Sequence, residues 1–192
     1  SAKPIIHLYE FNHGASGNLG DFRSALEHLV ITNLKMISAI RKVIEYYADK
    51  GPVLVLTDQI RQGVQICQML GGSDLSYSYL DGRSISDVRV RIKEQFERRE
   101  FDVLIATPIW DEGVDLPELR TLVLASGGKR ERRLLQRVGR AIRKKKHGPN
   151  VAHIVDFFHL GNEFLEEHSV ARLDLWEREG FEVRLENKPA LD

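Results

Sequence analysis

The chain has 192 residues, 28 basic and 28 acidic, for a formal net charge of zero, so overall charge selects no partner. That length suffices for one domain with a real core. The single cysteine, Cys67, excludes an internal disulfide and fits a reducing compartment, cytoplasmic or nuclear. No apolar run approaches a membrane span and no signal peptide is expected, so a membrane is not among the expected partners.

Read in order, residues 4–9 predict a short strand and residues 12–20, rich in Gly, Asn and Ser, a loop. Asp21 can cap a helix to about residue 30. Asn33 can cap a second, with Met36, Ile37, Ile40, Val43, Ile44 and Tyr47 at helical spacing. Val53–Leu56 is a continuous apolar run, the pattern of a strand buried on both faces. Ile60–Leu70 is helical again and stops at Gly71-Gly72; Tyr77–Leu80 predicts a short strand. Ser84 and Asp87 have capping-box spacing, opening a helix to about residue 99. Val103–Ala106 and Thr121–Leu124 are further buried strands. A basic helix, a strand at 151–157, a long helix at 160–179 and an edge strand at 181–185 complete the pattern. Alternating strands and helices with long crossovers predict an α/β domain, an open, mostly parallel sheet with helices on both faces. The chain is expected to be one domain over 1–192. Residues 1–20 would form a strand and loop leading in from a neighbouring domain, and 159–192 a helix and edge strand packed on the rest. In such sheets ligands gather at the carboxyl ends of the strands, which directs attention to Thr57-Asp58, to Asp81-Gly82-Arg83 and to the turn 107–117.

That turn reads A-T-P-I-W-D-E-G-V-D-L-P from Ala106. Thr107 and Pro108 end a strand, and Gly113 permits a backbone conformation closed to other residues. Asp115, between Val114 and Leu116, either accepts bonds from sugar hydroxyls or caps a turn. Asp111-Glu112 could suggest a metal-binding pair, but no G-x-x-x-x-G-K-[ST] loop occurs anywhere in the chain to hold a nucleotide beside it.

The basic helix reads L-L-Q-R-V-G-R-A-I-R over 134–143. At ~100° per residue, Gln136, Arg140 and Arg143 share one face, while Leu134, Leu135, Val138 and Ile142 cluster on another. Charged residues between Lys129 and Lys146 are basic except Glu131. This is either an amphipathic helix with a solvated face or a site for phosphate, whose oxygens guanidinium forks match. The seven histidines show no metal-ligand spacing and are expected at the surface or at helix ends. His168 and Arg172, four apart, are expected to hold the tail in place, with Trp176 buried against the sheet and Leu173 beside it.

Together the two stretches resemble motifs V and VI of superfamily 2 helicases. V-L-V-L-T-D at 53–58 resembles motif IV, and Leu80-Asp81-Gly82 the segment between IV and V. H-S-V-A-R at 168–172 and E-R-E-G-F-E-V at 177–183 are similar to the branch that contains phage recombination helicases, XPB-like repair helicases and restriction-type translocases. The resemblance implies the second of the family's two RecA-like lobes. It implies an ATP-dependent DNA helicase activity in which a first, N-terminal RecA-like lobe is the partner and holds most of the ATP and Mg2+. By position, Arg140 and Arg143 would be arginine fingers to the γ-phosphate, with Gln136 in support. Gly113 and Asp115 would lie near the ribose and the lobe interface, and Thr107 would touch the nucleic-acid backbone. Gly82 matches a glycine near the same strand. Arg83, from its charge and position, and Thr57 at its own tip are further candidates for contact with nucleic acid. Gln136 in place of a histidine and the bulk of Trp110 favour DNA over a DEAD-box RNA helicase. A non-hydrolysing nucleic-acid-binding module with the same fold, or part of an RNA helicase, is the alternative.

Overall fold

The computed structural model describes residues 1–17, 19–107, 119–129, 131–141 and 144–192, with the backbone alone at 131, 132, 140 and 141. Its strands are β1 (Lys3–Asn12), β2 (Val53–Leu56), β3 (Tyr77–Leu80), β4 (Val103–Ala106), β5 (Thr121–Leu124), β6 (Val151–Leu160) and β7 (Glu182–Glu186). Its helices are α1 (Phe22–Leu26), which runs into a π-helical turn (Glu27–Ile31), α2 (Leu34–Ala48), α3 (Ile60–Leu70), α4 (Ser86–Glu97), α5 (Glu131–Ala141) and α6 (Glu163–Arg178). Among the described residues the strands form one sheet in the order β3-β4-β2-β5-β6-β1-β7, and every pair in it is parallel. The α/β class and the open parallel sheet expected from the sequence are what the chain adopts.

Register explains the apolar runs. Leu54 and Leu56 share one core with Leu104, Ala106, Leu122 and Leu124, in line across three paired strands. Val53 and Val55 share the opposite core with Val103, Ile105 and Val123. A period of two turns alternate residues to opposite faces, so an all-apolar strand needs helices on both sides. The first face is covered by Phe96 of α4, Leu134 and Val138 of α5, and Leu175 and Trp176 of α6. The second is covered by α1, the π-helical turn, α2 and α3. No helix among the described residues is long and apolar enough to cross a membrane.

Several local readings hold. Asp21 accepts from Ser24 N–H and Asn33 from Met36 N–H as N-caps. Asn162, which the sequence reading does not single out, caps α6 through Phe164 and Leu165 N–H. Others are corrected. Beginning at Ser86, α4 follows Ile85 without a side-chain cap. The Ser84 hydroxyl instead accepts from Asp81 N–H at 3.2 Å, because closing the turn after β3 takes the oxygen that a capping box would have used. Longer than its apolar residues suggest, β1 pairs with β6 from Lys3↔Val151 to Asn12↔Leu160 and lies inside the sheet between β6 and β7.

The histidines are a larger correction. His7 and His159 are buried. Across the β1/β6 ladder, His7 Nε2 lies 2.9 Å from His153 Nδ1, and His13 Nε2 lies 2.9 Å from His159 Nδ1. Parallel register puts these side chains on one face within reach, and each imidazole gives the other a polar partner that burial would otherwise deny it.

Candidate functional site

Strand β2 lies between β4 and β5. The chain leaves β2 through α3 toward β3 and β4, whereas β5 leads by α5 to β6 on the other side, so the β2 and β5 tips flank a topological switch point, where doubly wound sheets form a crevice. Thr57 and Asp58 follow β2; Ser126, Gly127 and Gly128 follow β5. A cleft of about 430 Å³ opens there, with Asp58, Ser126, Gly128, Lys129, Arg133 and Arg137 among its walls.

Leu134 and Val138, four apart, sink one side of α5 into the core. Arg137 belongs to the same buried side, with 4% of its side chain exposed, and its Nη2 donates to Asp58 Oδ1 at 2.8 Å. Arg133, one turn earlier, reaches the same oxygen at 3.4 Å. Asp58 N–H in turn donates to Ser126 Oγ, and Gln62 Nε2 donates to Ala125 O at 2.9 Å. Gly127 adopts φ 76, a left-handed conformation that suits glycine, and its carbonyl accepts from Arg172 Nη1 at 2.7 Å. The Arg137–Asp58 pair is absent from the sequence reading. The clue available was that Arg137 follows Leu134 by three residues, which puts it on the docked face.

Of the residues singled out for ATP, Gln136 is exposed on α5. Arg140 lies in α5, but its side chain is outside the described residues, as are Arg143, Gly113 and Asp115. The candidates for nucleic acid come together at the adjacent tips of β3 and β4. Leu80 is in register with Ala106, and Thr107 N–H donates to Leu80 O at 3.1 Å. Gly82 is exposed, and the Arg83 side chain is 72% exposed with Nη2 2.7 Å from Asp81 Oδ2. The Arg83 hydrogen bond holds the Asp81 carboxyl down at about 2, against the opposing effect of burial. Tyr79 O–H also donates to Asp81. Thr107 is 4% exposed and Thr57 fully buried. Thr57 Oγ1 donates to Gln59 O at 3.2 Å, so this hydroxyl is turned into its own loop and supports the β2 tip. Among the described residues no three His, Cys, Asp or Glu side chains stand together as metal ligands would. Guanidiniums and an amide, the donor set of α5, suit phosphate oxygens.

The model of the helicase conserved C-terminal domain matches residues 35–145, over half the chain. The helicase-designated protein 22 of Sulfolobus islandicus filamentous virus (isolate Iceland/Hveragerdi) is 27% identical over 155 residues, 81% of this chain and 26% of that protein. The DNA 3'-5' translocase XPB2 of Sulfurisphaera tokodaii is 25% identical over 118 residues, 62% of this chain and 26% of that protein. The chain thus spans about a quarter of the length of these relatives. The crystal structure of T4 UvsW superposes with a TM-score of 0.77 at 19% identity, over 95% of this chain and 41% of that one, a likeness of fold. The parallel order of the sheet, the arginine helix docked beside the β2 tip and the match across residues 35–145 agree: the chain belongs to the helicase conserved C-terminal domain family, the second RecA-like lobe of superfamily 2 helicases.

Proposed function

We propose that this chain, as one lobe over residues 1–192, is the second motor lobe of an ATP-dependent DNA helicase or translocase, working inside a reducing, intracellular compartment. A first RecA-like lobe holds ATP and Mg2+ through its phosphate loop and acidic residues. Arg140 and Arg143 reach the γ-phosphate, Gln136 supports that contact, and Gly113 and Asp115 line the ribose side. When bound, ATP supplies the phosphoryl group that passes to water. The arginines neutralise the charge that spreads over the γ-phosphate oxygens as the bond to the leaving group breaks. Thr107, Gly82 and Arg83 hold the backbone of the nucleic acid at the β3/β4 tips. Thr57 acts from beneath by keeping the β2 tip in shape.

The observation that carries this reading is the way α5 is seated. Leu134, Val138 and Arg137 are committed to the interior, while Gln136 stays exposed on the face that helical repeat assigns to Arg140 and Arg143. A protein that only bound nucleic acid would need neither of the two arginines nor Asp115. DNA is favoured over RNA by Gln136 and Trp110 and by the name of the relative XPB2, a DNA translocase.

The test is DNA-stimulated ATP hydrolysis. This chain alone should give none. In a two-lobed helicase carrying it as the second lobe, Arg140→Ala or Arg143→Ala should lower kcat steeply without loss of folding, since such fingers are worth ~10³–10⁵ in rate elsewhere. DNA-stimulated turnover by the purified chain by itself would overturn the reading, as would an equal loss from Arg98→Ala, a charge past α4 that pairs with Glu94, which would make general basicity the cause.

A further inference from the structure

Asp58 is anchored through its backbone. It leaves the end of β2, its N–H donates to Ser126 Oγ beyond β5, and that serine hydroxyl reaches Gln62 Oε1 of α3 at 3.4 Å. Its carboxylate receives Arg137 at 2.8 Å and Arg133 at 3.4 Å, two successive turns of α5. Apolar contacts at Leu134 and Val138 press α5 onto the sheet but are non-directional. A charge-assisted bond to a fork-shaped donor is directional, so it can set the roll of the helix about its axis. Arg140 follows Arg137 by three residues, ~4.5 Å along the same rigid helix, and shares whatever roll Arg137 is given. A roll of ~10° moves a side-chain tip ~6 Å from the axis by ~1 Å, and a misplacement of that size can cost ~10² in rate.

We infer that Asp58 is a positioning residue for ATP hydrolysis: through Arg137 it sets the roll of α5 and thereby the aim of Arg140. This rests on the proposed motor function. It also ties the β2 tip, beside the strands whose tips are assigned to nucleic acid, to the helix assigned to the nucleotide.

The experiment is steady-state DNA-stimulated ATP hydrolysis by a two-lobed helicase carrying this chain, for Asp58→Asn, Arg140→Ala and the double variant. Asp58→Asn should lower kcat by ~10–100-fold with KM for ATP changed less than about threefold. Added to Arg140→Ala, it should cost less than about twofold more, because a residue that acts through the finger has nothing left to aim. Asp58→Glu and Arg137→Lys keep both charges and should show the same pattern in weaker form. They serve as the test if Asp58→Asn does not fold. Losses that multiply in the double variant, or a change confined to KM, overturn the positioning role. If Arg140→Ala is severe and Asp58→Asn is silent, this inference alone fails. If Arg140→Ala is itself silent, the motor reading fails and takes the inference with it.

Discussion

Arg172 of α6 and Asp156 of β6 form a buried pair, with Nε 3.0 and 3.1 Å from the two carboxylate oxygens and each side chain at most 2% exposed. Trp176 Nε1 donates to the same carboxylate at 3.0 Å, and Arg172 Nη2 donates to Phe157 O at 2.6 Å. Removing one partner of such a pair strands a buried charge, at a cost of ~3–5 kcal/mol, whereas removing both together costs less. Arg172→Met should therefore lower the urea midpoint sharply, and Arg172→Met with Asp156→Leu should recover part of the loss. If the double variant is as unstable as the sum of the two singles, the pair is not the unit that stabilises the tail.

Past residue 158, the chain contributes Trp176, fully buried in the first core, and β7, which pairs in parallel with β1 from Ile5↔Glu182 to Tyr9↔Glu186. A chain ending at residue 158 should expose the face beneath Trp176 and Leu175, open the β1 edge and aggregate. A soluble truncated protein with an unchanged Tm would show the tail to be an appendage.

Acid should weaken the fold in a defined window. Burial pushes His13, His153 and His168 down to about 4, and lowers His7 and His159 as well. Glu186 opposes the shift at His7, and Arg172 adds to it at His159. His13, His153 and His168 stay neutral in the fold down to about 4 and titrate near 6.5 when unfolded, so between about 4 and 6.5 the unfolded chain binds more protons, and the lowered His7 and His159 act in the same direction. The stability these groups contribute is full above the unfolded value and is lost as pH falls through 6.5 toward 4. Asp81, held at about 2, loses its contribution only at lower pH, below the usual carboxylate range. Tm measured from pH 7.5 to 5 should fall, and His153→Gln should shallow the decline. A flat profile over that range would mean that these imidazoles are not buried in neutral form.

How much of this was legible follows from what each signal encodes. The runs Val53–Leu56, Val103–Ala106 and Thr121–Leu124 announce a buried parallel sheet because burial on both faces leaves no polar alternation. Asp21 and Asn33 announce helix starts because capping is local. The Arg137–Asp58 and Arg172–Asp156 pairs join residues 79 and 16 positions apart, and no local pattern announces a partner at a distance. The histidine pairs escape the sequence for the same reason: His7 on β1 and His13 just past it meet the imidazoles of β6 only once the register of the two strands is known.

Nucleic-acid binding by this lobe should be weak, sequence-tolerant and strongly salt-dependent. The β3/β4 tips offer Arg83 and exposed Gly82, groups that suit a phosphate backbone and read no base code. Arg83 is turned back on Asp81, yet most of its side chain faces solvent, so it can present donors outward while the carboxylate fixes its stem. Arg83→Ala should lower affinity for single-stranded DNA about equally for all sequences and flatten the plot of log K against log salt by roughly one unit, as when one phosphate contact is lost. Arg98 is the control. It follows α4 just before the start of β4, at the opposite end of the strands from the tips, and pairs with Glu94, so Arg98→Ala removes the same charge without touching the site. Arg140→Ala, assigned to the nucleotide, should likewise leave DNA affinity nearly unchanged. A salt titration of the four proteins decides. Equal flattening by Arg83→Ala and Arg98→Ala would mean that only total charge matters, and flattening by Arg140→Ala alone would mean that the two faces have been assigned the wrong way round.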